Sequence, residues 1–87
     1  MSLLLPQSKV KSIIKSDPDV KKISGAAVSV LTELSTTFIQ LLARESYKYC
    51  EKSKRKTLQY QDVSAAVHDI DQLDFLQQII PKVQIAP

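Results

Sequence analysis

Residues 26–52 contain neither proline nor glycine, and apolar side chains recur along them at helical spacing. A helix of ~27 residues and ~40 Å follows. One apolar stripe runs through Ala27, Leu31, Leu34, Phe38 and Leu41, and a second through Val28, Val30, Ile39, Leu42 and, further on, Tyr49. An apolar arc that wide needs contact on more than one side. The whole chain has 87 residues, and a chain so short buries only about 60–65% of its unfolded surface. Yet 44% of it is hydrophobic, with a single glycine. One layer of three helices cannot hide that much apolar material, so the expectation is an obligate partner that shares the core.

Short elements flank the long one. Pro6 suits the first position of a helix, where a missing N–H costs nothing. Val10, Ile13 and Ile14 then recur at helical spacing, with Lys9, Lys11, Ser12 and Lys15 set largely opposite. Asp17-Pro18 stops that helix, because a residue before proline avoids helical angles. Val20 and Ile23 are apolar anchors in the connection, and Ser24 is a good N-cap for the long helix. Beyond Lys52, Lys54 to Gln59 break the period, and Thr57-Leu58 favours extended backbone. Asp62 can accept N–H groups where the next helix starts, and Val63, Ala66, Val67 and Ile70 form its apolar face. Leu73, Phe75, Leu76, Ile79 and Ile80 make a fourth short helix before Pro81. The expected architecture is all-α and a single domain over residues 1–87, with helices at about 7–16, 24–52, 61–70 and 72–80.

Several function classes drop out. One cysteine, Cys50, rules out an internal disulfide framework, and with one histidine, His68, there is no four-ligand zinc site. No uninterrupted apolar run approaches the ~20 residues that span a bilayer, and no signal peptide precedes the first helix. A reducing, intracellular compartment without membrane association is expected. There is no phosphate-cradling glycine-rich loop and no nucleophile with its base, so neither an enzyme nor a cofactor is expected. Cys50, His68 and the tyrosines Tyr47, Tyr49 and Tyr60 read as packing residues.

Charge is modest overall, at +3, but segregated. Lys9, Lys11 and Lys15 lie in the first helix, Lys21 and Lys22 in the first connection, and Lys48 to Lys56 around the second. Asp69, Asp71 and Asp74 gather near the end. Such segregation suggests one face for an anionic partner and another for protein. Lys54-Arg55-Lys56, set between a long helix and Thr57-Leu58, suits a phosphate backbone: extended backbone offers N–H groups while lysines supply charge. Nothing resembles a base-reading helix, so sequence preference would be weak.

Three motifs carry a family resemblance. Leu5-Pro6-x-x-Lys9-Val10-Lys11-x-Ile13-x-Lys15 is similar to the first helix of the histone-fold subunits related to the C subunit of the CCAAT-binding factor NF-Y. Lys54-Arg55-Lys56-Thr57-Leu58-Gln59 with Asp62-Val63 resembles their second loop and third helix, and Asp74-Phe75-Leu76 followed by Ile80-Pro81 resembles their C-terminal helix. Within the family, Lys15-Ser16-Asp17-Pro18-Asp19-Val20 and the unbroken Lys-Arg-Lys-Thr-Leu-Gln look most like the small histone-fold subunit of DNA polymerase epsilon. The run from Asp71 to Leu76 is equally similar to the CCAAT-factor subunit.

The resemblance implies a histone fold paired in a handshake heterodimer with a second, different histone-fold protein. Its partner-facing residues would be Ile13, Val28, Leu31, Leu34, Phe38, Ile39, Leu42, Tyr49, Leu58, Val63, Val67, Phe75 and Leu76. Double-stranded DNA would be held without sequence preference by Lys9, Lys11, Lys15, Lys54, Arg55, Lys56 and Thr57. Arg55, seven residues before Asp62, also matches the Arg–Asp clamp of histone folds, which fixes loop to helix. The implied setting is the nucleus, in a larger polymerase epsilon or chromatin complex, with roles in replication and heterochromatin inheritance. A subunit of a CCAAT-binding transcription factor, of negative cofactor 2 or of a chromatin accessibility complex is the alternative. A helical adaptor that binds only protein is a rival of another class.

Overall fold

A computed structural model describes residues 4–82, so the start of the apolar lead-in, Met1 to Leu3, and the end of the chain to Pro87 lie outside the described residues. Three α-helices, α1 (Gln7–Lys15), α2 (Gly25–Lys52) and α3 (Tyr60–Asp69), are followed by a 3-10 helix, Asp71–Leu76. No strand occurs among the described residues. The chain divides into two compact units, one up to Gln40 and one from Leu41.

In the first unit, Pro6 is not the first helical residue but the N-cap. It keeps extended backbone while its carbonyl accepts from the N–H groups of Lys9 and Val10 at 3.1 and 3.2 Å. Beyond α1, Asp17 turns the chain by accepting the N–H of Asp19 on its side chain at 2.9 Å. Ser24 caps α2, its hydroxyl accepting from the Ala27 N–H at 3.1 Å. The buried side chains of this unit are Val10, Val28, Thr32 and Thr36. Each threonine hydroxyl donates to the carbonyl four residues earlier, at 2.7 and 2.9 Å, which lets a polar group sit in the core satisfied. Thr36 also accepts the N–H of Leu5 at 3.2 Å and so fastens the segment leading into α1.

The second unit contains the remainder of α2, a basic loop, α3 and the 3-10 helix. Ser46, Cys50, Asp62, Ser64, Ala66, Val67 and Leu73 are buried in it. The fourth segment, expected as a short helix over about 72–80, is a helix over Asp71–Leu76. It winds as a 3-10 helix to Leu76 and continues in isolated turns. Three residues per turn align Ile70, Leu73 and Leu76 along one edge, and these are the half-buried and buried positions. Three α3 side chains then hold the chain that follows. Tyr60 and Ser64 donate to the Pro81 carbonyl at 3.2 and 2.9 Å, and His68 Nε2 lies 2.9 Å from the Ile80 carbonyl.

The buried side chains of α2 are Val28 and the small or hydroxylic Thr32, Thr36, Ser46 and Cys50, and many of its large apolar side chains are exposed. Val30, Leu31, Leu34, Ile39 and Leu41 are exposed, as are Ile13, Leu58, Phe75 and Ile79. Only six hydrophobic residues, Val10, Val28, Cys50, Ala66, Val67 and Leu73, are buried among those described. Two residues expected to face a partner are therefore enclosed by the chain itself, Val28 at 4% and Val67 at 0% exposure. Val28 falls on the Thr32–Thr36 side of α2, and Val67 on the side of α3 that the chain covers. Phe38, Leu42, Tyr49, Val63 and Leu76 are half-buried.

By length and composition α2 is also apolar enough to cross a membrane, which the count of uninterrupted apolar residues missed because serine and threonine dilute a hydropathy average only slightly. The exposed apolar residues of α2 account for that composition as well.

Gly25 opens α2 with ordinary negative φ, and a Cβ there would meet nothing within 4 Å. Gly25→Ala should raise stability by about 0.5–1 kcal/mol, chiefly by restricting the unfolded chain, read as a higher urea midpoint with an unchanged slope.

Candidate nucleic-acid interface

The basic loop begins where α2 stops. Lys54 takes a left-handed conformation, with φ of 58°. The Lys54 N–H donates to the Glu51 carbonyl at 2.9 Å, and the Arg55 N–H to the Cys50 carbonyl at 3.1 Å. That pair of bonds is a Schellman cap, in which the left-handed residue is usually glycine because a Cβ is strained there. Here a lysine occupies it.

Arg55 then turns back to α3. Its guanidinium donates to both carboxylate oxygens of Asp62, at 2.9 and 2.5 Å, and to the Thr57 carbonyl at 3.3 Å. Asp62, 2% exposed, also accepts the Gln59 N–H at 2.8 Å. Gln59, rather than Asp62, is the N-cap residue of α3, and Asp62 serves from the third helical position, as in a capping box. One carboxylate thus holds the guanidinium and the first turn of α3 together. The Arg55 hydrogen bonds hold the Asp62 carboxyl below its ordinary range, helped by the Gln59 N–H and opposed by burial; the same pair raises Arg55.

Around this pair the other cations sort into engaged and free. Lys48 pairs with Glu45 at 3.0 Å, and Lys52 sits 5.1 Å from the centre of the Tyr49 ring. Lys54 and Lys56 are exposed and make no ion pair among the described residues. The N–H groups of Lys56, Thr57 and Leu58 have no hydrogen-bond partner there either. Three consecutive unpaired amides thus lie next in sequence to two unpaired lysines, groups from which anions accept hydrogen bonds. In the first unit, Lys9, Lys11 and Lys15 are exposed along α1 without ion pairs among the described residues. Lys11 also lines an open cleft with Gln7, Ser8, Ile23, Gly25 and Val28.

Sequence reasoning missed two features of the loop. Without a glycine, no residue type marks Lys54 as left-handed. Nor does anything announce that the buried Cys50 directs its thiol at the carbonyls of Arg55 and Thr57, at 3.3 and 3.2 Å.

Because the Asp62 carboxyl is depressed in the folded state, the unfolded chain binds the extra proton first as pH falls. The stability Asp62 contributes is full above about pH 4, its unfolded value, and is lost as pH drops through the folded one. Asp62→Asn should flatten that acid limb in a pH series of urea melts. Removing Arg55 alone leaves a buried carboxylate unpaired, so Arg55→Ala should destabilise more than the double variant Arg55→Met with Asp62→Leu. Lys54→Gly should add about 0.5–1 kcal/mol by relieving the left-handed strain, measured in the same melts.

A family model described as histone-like transcription factor (CBF/NF-Y) and archaeal histone matches residues 3–67, which span α1, α2, the basic loop and most of α3. Among individual proteins, a DNA polymerase epsilon protein of Debaryomyces hansenii, its C subunit, is 43% identical over 83 residues, covering 95% of this chain and 30% of that protein. DNA polymerase epsilon subunit 4 of Drosophila melanogaster is 40% identical over 72 residues, covering 83% of this chain and 46% of its own length. Nuclear transcription factor Y subunit gamma of Homo sapiens is 37% identical over 83 residues, covering 95% and 18%. The chain spans less than half the length of these curated relatives. With its short, long and short helices in order and the family's motifs in α1 and the basic loop, this chain belongs to the histone-fold family of histone-like transcription factors (CBF/NF-Y) and archaeal histones.

Proposed function

We propose that this chain is a non-catalytic histone-fold subunit that pairs with a second, different histone-fold protein and binds double-stranded DNA without sequence preference. The observation that carries the DNA reading is the run of free amides at Lys56, Thr57 and Leu58 beside the unpaired Lys54 and Lys56, on a loop that Arg55 and Asp62 fix to α3. Lys9, Lys11 and Lys15 on α1 add charge, and Arg55 contributes mainly by shaping the loop. Pairing is supported by the exposed apolar face of α2, with Val30, Leu31, Leu34, Ile39 and Leu41 uncovered. Ile13 in the first unit, and Leu58 and Phe75 in the second, are exposed as well.

The setting is the nucleus, as an accessory subunit of DNA polymerase epsilon that tethers the replication machinery to chromatin and takes part in heterochromatin inheritance. The two polymerase epsilon relatives and the Lys15–Val20 and Lys54–Gln59 motifs support this membership. The relatives named nuclear transcription factor Y support a second reading, a subunit of a CCAAT-binding factor, over the same span of the chain. That reading requires a third chain for base specificity, since the groups this loop offers suit phosphate alone.

Two measurements test the proposal. Tagged protein purified from its own cells should bring down a second histone-fold chain with the large polymerase epsilon subunits. CCAAT-factor subunits would move it to the second reading, and no histone-fold companion would overturn pairing. The purified complex should bind a mixed-sequence duplex with a slope of log affinity against log salt near −4 to −5, from about four to six phosphates. Lys54→Ala and Lys56→Ala should each make that slope shallower by ~0.9. No duplex binding would leave a protein-only adaptor, and binding that ignores salt would overturn the phosphate contacts.

A further inference from the structure

Cys50 is fully buried at the end of α2, and the basic loop closes around it. Its own carbonyl accepts the Arg55 N–H at 3.1 Å. Its thiol lies 3.3 Å from the Arg55 carbonyl and 3.2 Å from the Thr57 carbonyl. A thiol has one hydrogen to donate, so it is shared between those oxygens or alternates between them. The Arg55 guanidinium supplies the second donor to the Thr57 carbonyl at 3.3 Å. Between them, the Lys56 carbonyl faces the Tyr47 hydroxyl at a longer 3.5 Å. Three consecutive loop carbonyls are therefore turned toward side-chain donors of the protein, and the amides left over are those of Lys56, Thr57 and Leu58.

We propose that Cys50 is a positioning residue for DNA binding: its thiol holds the Arg55 and Thr57 carbonyls to the protein side and so keeps the three free amides in place for a phosphate. This rests on the duplex-binding reading above. Cys50 touches no DNA itself. A carbonyl swung outward would put a partial negative charge where the phosphate sits, so losing the thiol both loosens the amides and adds repulsion. The Arg55–Asp62 pair would remain to anchor loop to helix, which separates the two roles: the ion pair fixes where the loop is, and the thiol fixes which backbone groups it presents.

The test uses the full chain in complex with the histone-fold companion that copurifies with it, and a mixed-sequence DNA duplex as probe. Cys50→Ala removes the donor, Cys50→Val removes it while filling the space, and Cys50→Ser restores a donor. The Ala and Val variants should bind duplex about three- to tenfold more weakly, the scale of one hydrogen bond. Their salt slope should be unchanged, because no cation has been lost. The Ser variant should recover the affinity. Without DNA, amide relaxation at residues 55–58 should show a loop loosened by Ala and Val and kept ordered by Ser. If Val binds as tightly as the unmodified protein, or Ser is as weak as Val, the positioning role is wrong. If the unmodified complex binds no duplex, the functional reading fails, and the relaxation data alone still decide whether Cys50 shapes the loop.

Discussion

The constraint on which the rest depends is the mismatch between one helix and the chain that must cover it. α2 alone takes 28 residues, and the other described residues supply two short α-helices, a 3-10 helix and connections. The chain resolves this by covering the narrow side of α2. Thr32, Thr36, Ser46 and Cys50 are small, and their hydroxyl and thiol hydrogens are satisfied by nearby carbonyls. Small side chains let neighbouring backbone approach closely, while the bulky Leu34, Leu41 and Ile39 stay outside. That inverts the usual amphipathic arrangement, in which the largest apolar residues face the core. The inversion makes sense when the larger share of hydrophobic stabilisation comes from a second chain, since six buried hydrophobic residues among those described make a slight core.

The loop after α2 solves a different problem, how to hold cations and bare amides in the open without the segment collapsing onto its own carbonyls. The Schellman cap turns the chain at Lys54, the Arg55–Asp62 pair returns it to α3, and the Cys50 thiol takes up carbonyls in between. Each device uses a side chain or backbone group that cannot also bind an anion. What is left over, Lys54, Lys56 and three N–H groups, is what an anion can use. A glycine at position 54 would fit the backbone better and would carry no charge. The strain at Lys54 is therefore the conformational cost of a cation at the apex of the turn.

Most of the helical frame was legible because it depends on local chemistry. The stretch without proline or glycine marks α2, Asp17-Pro18 marks the end of α1, and Ser24 marks the start of α2. The Arg55–Asp62 spacing was legible only through the family resemblance, because nothing in a seven-residue offset dictates that two side chains meet. The fourth segment was read as a short helix, and it is one, wound as a 3-10 helix over Asp71–Leu76. Leu73 and Leu76, three residues apart, fit a helical period and a 3-10 period almost equally, and packing against α3 decided between them. The burial of Val28 and Val67 was missed for a related reason. Hydrophobic pattern says that a residue will be covered, and it does not say by which chain.

The exposed apolar residues of α2 and the basic loop after it differ in what they specify. The exposed stripe on α2 is defined by shape and hydrophobicity, which many helices satisfy, so a partner's identity has to come from outside the chain. The loop is defined by directed groups: its carbonyls at Arg55, Lys56 and Thr57 meet donors of the protein, and the amides of Lys56, Thr57 and Leu58 are left over. An anion presented with free amides and two lysines is bound through charge and backbone, neither of which distinguishes one base pair from another. On the duplex-binding reading proposed above, a subunit built this way would contribute grip and leave specificity to its companions. That division suits a family in which similar histone-fold subunits carry names from a replication polymerase and from a transcription factor.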